Sequence, residues 1–337
     1  MKTRVVTSLF LVLFLIAFYL ALDALIFLTL PASLEGEERT IAIPRGATFR
    51  EAAQILHQES LLRSPTRFCL LARIFGVTAK IKAGEYRLHP SMVPQEILEK
   101  LIKGEVATHR VTIPEGFTVR QIGTLLEREG LITSQDEFLA LAFSREYARK
   151  LGINADSLEG YLFPDTYLLA RGLTAEQIIR IMTEHFKQVY ESECSSRDDA
   201  VDLTDREVVI LASIVEKETS LSEERALVSA VFHNRLKWGM PLCSDPTVIY
   251  GLPEFDGNLT KEDLETPTPY NTYLIRGLPA GPIANPGRLS LRAVLYPADV
   301  DYRYFVSRND GSHVFSSSLK EHNKAVWKYQ KRKGAKR

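Results

Sequence analysis

The sequence predicts an α+β fold behind a single N-terminal transmembrane helix. Three observations predict it. An unbroken apolar run opens the chain, a strand–turn–helix unit occurs twice in the middle, and the last third passes from a helical segment into loops rich in Gly, Pro, Tyr and Asn. At 337 residues the chain is long enough for two or three domains. Lys plus Arg and Asp plus Glu number 42 each, so there is no basic surplus and nucleic acid is not expected as a partner. The cysteines, Cys69, Cys194 and Cys243, are odd in number and far apart, with neither metal-ligand spacing nor a disulfide framework.

The first element is the apolar run from Ser8 to Leu30, preceded by Lys2 and Arg4 and interrupted by one charge, Asp23. A helix needs about 20 residues to cross a bilayer. The run continues through Leu25, Ile26, Phe27 and Leu28, which is too long for the apolar region of a cleaved signal peptide, so an uncleaved anchor is expected. Positive charge before the span and the acidic Glu35, Glu37 and Glu38 after it put the N-terminus inside and the bulk of the chain outside. This gives a cytoplasmic N-terminus at residues 1–6, an anchor at 7–30 and a linker at 31–39.

The next element is the repeat. Ile41–Leu56 aligns with Val111–Leu126: in each a short strand leads through a Pro-x-Gly turn into a helix. Thr48 and Thr118 are the expected N-caps. Ala52, Ile55 and Leu56 recur at helical spacing, as do Ile122, Leu125 and Leu126. The second half repeats as well. A strand at Gly84–Leu88 precedes a helix over Pro94–Leu101, and a strand at Asp165–Leu169 precedes a helix over Ala175–Met182. The first module covers 40–105, and the second repeat unit, or connecting subdomain, covers 106–195. Glu191–Asp202 reads as a polar linker, residues 200–326 as a mixed α+β catalytic domain, and 327–337 as a basic, solvated tail.

In that last domain Thr204-Asp-Arg-Glu207 is a capping box that opens a helix through Glu218. Leu211, Ile214 and Val215 lie seven, four and three residues before Glu218, on one stripe. A carboxyl at the end of an apolar stripe is partly desolvated, which raises its pKa toward the range a general acid requires. Glu216 lies about 200° around the helix and does not form a carboxylate dyad with Glu218. Downstream, Pro241–Gly251, Thr266–Tyr273 and Gly277–Gly287 read as long loops dense in Asn, Thr, Tyr and Pro. Long loops in compact domains carry function. Tyr faces with Asn, Asp and Thr suit a sugar, whose ring faces are apolar and whose rims are polar. Neither Cys243 nor Ser213 has a base that sequence can assign to it, which disfavours a nucleophilic hydrolase.

In layout and in its Pro-x-Gly-x-Thr turn, the first module resembles a LysM-type carbohydrate-binding module. The wider chain, from the anchor to about Val326, resembles the endolytic murein transglycosylases (YceG-like). The matching segments are Glu159–Tyr167, Ala212–Thr219, Ser244–Gly251, Pro269–Tyr273, Gly277-Leu-Pro279, His313-Val-Phe315 and His322-Asn323. The resemblance implies that Glu218 is the catalytic residue. The substrate-binding residues expected with it are Glu216 on the same helix and, on the loops that line the glycan cleft, Ser244, Asp245, Thr247, Tyr250, Tyr270, Asn271, Thr272, Tyr273, Asn285, His313 and Phe315. It also implies a peptidoglycan substrate, a single-pass place in the cytoplasmic (inner) membrane with the catalytic domain on the periplasmic side, and wall synthases as partners. No cofactor or metal is expected, since no ligand spacing such as His-Glu-x-x-His is present. Family members often carry Gln where this chain has Cys243, and a thiol is a weak hydrogen-bonding substitute. Two further readings stay open: a hydrolytic muramidase using Asp245 or Glu224 as second carboxylate, and a non-catalytic wall-binding or division scaffold.

Overall fold

A computed structural model describes residues 2–195 and 202–331. Residues 1, 196–201 and 332–337, which include part of the expected polar linker and most of the basic tail, lie outside the described residues. The described chain contains fourteen α-helices and six strands, and the strands form three two-stranded sheets, β1–β2, β3–β4 and β5–β6. It divides into two compact units. The first runs to His109 and takes in Leu168–Gly172; the second comprises Arg110–Tyr167 and the chain from Leu173 onward.

The first unit begins with α1 (Lys2–Thr29), whose segment Phe10–Thr29 is long and apolar enough to cross a membrane. Phe10, Phe14, Phe18 and Tyr19 are exposed on it, whereas Phe27 near its end is buried in the core of the unit. The order that follows is β1 (Arg39–Ile43), α2 (Phe49–Gln58), α3 (Pro65–Ile74), β2 (Gly84–Leu88) and α4 (Pro94–Lys103). β1 and β2 are antiparallel, with Ile41 opposite Tyr86, and Ile41, Ile43, Tyr86 and Leu88 point into the core. Thr48 caps α2 as the sequence predicts, in a reciprocal box with Glu51.

The next stretch of chain repeats that order. β3 (Thr108–Thr112) leads to α5 (Val119–Arg128), α6 (Gln135–Ala142), the short α7 (Arg145–Lys150), β4 (Thr166–Ala170) and α8 (Ala175–Cys194). Thr118 caps α5 with Gln121. The sequence pattern did not announce α3, α6 and α7. α8 runs twelve residues beyond the predicted end at Met182, because Phe186, Val189 and Glu193 continue its buried face. It therefore takes up the first part of the segment expected as a linker.

The remaining chain packs around α9 (Asp205–Glu218), capped by Thr204 and Glu207 as expected. α9 is not the one-striped helix the spacing suggests: every residue from Val208 to Val215 is buried. It is enclosed by α10 (Arg225–Lys237), α11 (Asp245–Gly251) and α13 (Arg288–Leu295), with α12 (Lys261–Glu265) beside α11. Glu193 of α8 binds Arg288 of α13 at 2.7 Å and so ties the two helices together. β5 (Tyr304–Ser307) and β6 (His313–Ser316) form an antiparallel hairpin against α14 (Leu319–Val326), and a π-helical turn, Trp327–Lys331, follows. Contrary to expectation, Asp245–Gly251 is helix, not loop. Pro246 suits a first turn, whose N–H groups need no intrahelical partner.

Candidate active site

Glu218 is the last residue of α9, and the geometry around it is built by the second unit alone. Its Oε1 accepts a hydrogen bond from Ser244 Oγ at 2.5 Å. Ser244 is held in turn, its backbone N–H donating to Thr272 Oγ1 at 3.0 Å. Thr247 Oγ1 lies 2.7 Å from the same Thr272 oxygen and donates to Ser244 O. Burial pushes the Glu218 carboxyl up to about 7; the Ser244 bond opposes that rise, the charge of Asp245 adds to it, and His313 and Arg235 draw it down. Asp245 accepts the Tyr273 hydroxyl at 2.5 Å.

The second carboxylates weighed from sequence are both engaged. Glu224 receives the His313 backbone N–H at 3.0 Å and contacts His313 Nδ1 at 2.7 Å, with both side chains 11% exposed. His313 opens β6 and packs edge-on against Phe305, and Phe315 stacks on Tyr302. Glu216, two residues before Glu218, points elsewhere, as helical geometry requires. It pairs with Arg225 at 3.0 Å and accepts Gly287 N–H at 2.9 Å. Ser213 is buried in mid-helix, where its hydroxyl donates to Ile210 O and receives Ile283 N–H.

Other predicted site residues are used inside the protein. Asn271 is fully buried, donates to Leu264 O and Thr266 O, and accepts Tyr273 N–H. Asn285, also fully buried, accepts Leu162 N–H and donates to Phe117 O and Glu159 Oε1. Thr247 and Thr272 have no exposed surface. Tyr250 gives its hydroxyl to Glu159 at 3.1 Å and packs edge-on against Tyr270, with centroids 4.8 Å apart. Tyr270, Tyr273, His313 and Phe315 keep partial exposure.

Sequence reasoning missed two groups of this part of the chain, Arg235 and Glu159. Arg235 of α10 donates to Leu242 O and to Arg303 O, bracing the strand of chain that enters Cys243 and Ser244. It went unseen because α10 itself did. Glu159 lay within a quoted motif without a role of its own. Cys243 adopts φ 47° and donates its N–H to Thr272 O, and burial pushes its thiol up. Such a conformation is uncommon for a residue bearing Cβ.

A profile of the YceG-like family matches residues 41–328. The chain belongs to the YceG-like family. Among proteins similar to this member, an endolytic murein transglycosylase of Bacillus subtilis is 33% identical over 307 residues, 86% of this chain and 84% of that protein. An endolytic murein transglycosylase of Streptococcus pneumoniae is 30% identical over 321 residues, 85% of this chain and 57% of the longer relative. The crystal structure of a yceG-like protein from Listeria monocytogenes superposes with a TM-score of 0.58 at 32% identity, covering 86% of this chain and all of that one. The YceG-like match spans both units described above, so the Glu218 site sits within the part of the chain the family shares.

Proposed function

We propose that this protein is an endolytic lytic transglycosylase of peptidoglycan with Glu218 as its single acid/base. The observation that carries the reading is the carboxyl of Glu218, held by Ser244 and raised to about 7 by burial. Names of relatives at 30–33% identity support the substrate. Protonated Glu218 gives its proton to the glycosidic oxygen between N-acetylmuramic acid and N-acetylglucosamine, and the C1–O bond breaks. The resulting carboxylate takes the proton of the muramoyl C6 hydroxyl as O6 bonds to C1. The product is a 1,6-anhydro end, and Glu218 returns to its acid form. Ordinary glycosidases need a second carboxylate to activate water or attack C1. Here Glu224 is bound to His313 and Asp245 to Tyr273, which favours the one-carboxylate route over hydrolysis.

Asp245, Tyr270, Tyr273, His313 and Phe315 contact the glycan in this reading. Ser244 tunes the acid. Thr247, Asn271, Thr272 and Asn285 shape the cleft from behind, Glu216 braces it through Arg225, and Tyr250 presents its ring edge to Tyr270. Phe10–Thr29 anchors the protein in the cytoplasmic membrane with the active site on the outer side, where growing strands and their synthases are found. Cuts within new strands there would end their elongation. The strand–helix–helix–strand order of the first unit supports a LysM-like, glycan-binding role.

The test is mass spectrometry of purified glycan strands incubated with the full chain in detergent and with Glu218→Gln. Internal cuts ending in 1,6-anhydromuramic acid, absent in the variant, are expected. Reducing ends would indicate a hydrolase. Equal cleavage by the variant would remove Glu218 from the reaction, and no cleavage by either protein would favour a scaffold.

A further inference from the structure

We propose that Glu159 is a positioning residue for this reaction: through the Tyr250 hydroxyl it fixes α11, the helix that presents Ser244 and Asp245 to Glu218. The inference rests on the reading of Glu218 as the acid. Glu159 lies in the turn before β4 and is 1% exposed. Its bonding partners are neutral donors. Val119 N–H reaches both oxygens, at 3.0 and 3.2 Å, Asn285 Nδ2 reaches Oε1 at 3.1 Å, and Tyr250 O–H reaches Oε2 at 3.1 Å. A carboxylate buried among neutral donors is costly, and burial pushes Glu159 up to about 7. An amide of the same shape could accept from Val119 and Asn285, but its NH2 would then face Tyr250 and could only donate to the phenolic oxygen, which leaves the hydroxyl proton without its acceptor. What the carboxylate adds over the amide is the acceptor for the Tyr250 hydroxyl proton.

That hold matters because α11 cannot orient itself. It has seven residues and no side-chain cap, so its direction depends on tertiary ties. At its start Ser244 bonds Glu218 and Thr272, and Asp245 bonds Tyr273. Near its end the polar tie is Tyr250 to Glu159, and a Cβ on Gly251 would lie 2.5 Å from Thr268 Oγ1, so the helix end is already pressed against its neighbour. Glu159 is itself anchored, since Gly160 sits against Pro282 and Val209 of α9. Glu159, which is buried, and Glu218, which is partly buried, thus grip opposite ends of one short helix.

The experiment is a double-mutant cycle on the full chain in detergent, with Glu159→Gln, Tyr250→Phe, the double variant and Glu218→Gln assayed on uncrosslinked glycan strands. Each Glu159 or Tyr250 single change is expected to lower kcat about 10- to 100-fold, with KM within about twofold. The double variant is expected to be no worse than the poorer single one, because both remove the same bond from the Tyr250 hydroxyl to the carboxylate. The alkaline limb of kcat should move upward as Ser244 loosens its bond to Glu218. A lower Tm with unchanged kcat, losses that multiply in the double variant, or an effect on KM alone would each overturn the assignment. Tyr250→Phe deletes one oxygen and keeps the ring, so unchanged kcat in that variant is decisive even if Glu159→Gln folds poorly. A Glu218→Gln variant as active as the parent would instead defeat the underlying reading, and this inference with it.

Discussion

Ser244 Oγ lies 2.5 Å from Glu218 Oε1, so the carboxyl has a hydroxyl donor bound directly to it. A hydroxyl that donates to a carboxylate favours the ionised form and holds the pKa below what burial alone would set.

The pH dependence follows. In the proposed mechanism Glu218 begins the reaction protonated, so kcat should fall as pH rises through about 7. Removing the hydroxyl in Ser244→Ala leaves burial less opposed and should move that limb to higher pH. Initial rates across pH 5–9 for both proteins check it, and a limb that stays or moves down would contradict the assigned bond.

The same carboxyl should cost stability. Its folded pKa is raised above the ordinary value of 4.5, so the unfolded chain ionises first. Stability is therefore lost as pH rises from about 4.5 through about 7 and is level beyond. Glu218→Gln, which cannot ionise, should match the parent near pH 4 and exceed it at pH 8 by on the order of 3 kcal/mol. Thermal melts at the two pH values measure the difference.

Glu216 and Glu218 should separate cleanly. The Glu216 and Arg225 side chains are 5% and 7% exposed. Arg225→Ala leaves a buried carboxylate without its cation and should cost about 3–5 kcal/mol. Denaturant titration should show this fall, whereas Glu218→Gln should lose turnover and keep its fold.

Gly160 has φ +88°, and an added Cβ would come within 2.7 Å of Pro282 and 2.9 Å of Val209. Gly160→Ala therefore combines backbone strain with overpacking and should destabilise by about 2 kcal/mol or more. A lowered Tm is the expected reading.

The parts of this architecture that follow local rules were legible. Thr48, Thr118 and Thr204 cap their helices as expected; the box of Thr204 with Glu207 was legible, and Thr48 and Thr118 close boxes of their own with Glu51 and Gln121. The parts set by tertiary contact were not. α10 buries Val228 to Phe232 in succession, which erases any helical period. α11 contains the β-branched pair Val248-Ile249 beside Pro246, a poor helix by propensity. The position and partial desolvation of Glu218 could be read from its stripe, but full enclosure of α9 could not. Asn271 and Asn285 look like sugar-binding groups on Pro-rich loops, yet they satisfy backbone atoms. A sequence records that an amide is present and not which way it faces.

α9 stops at Glu218. The carbonyl oxygens left unpaired at a helix C-terminus carry partial negative charge, and a carboxylate there is opposed by the backbone itself. A glutamate at the opposite end of the same helix would be coaxed into ionising. By ending on its glutamate, α9 gives the Glu218 carboxyl a built-in reluctance to surrender its proton, one that no side-chain substitution nearby can remove and that only a change in where the helix ends would alter.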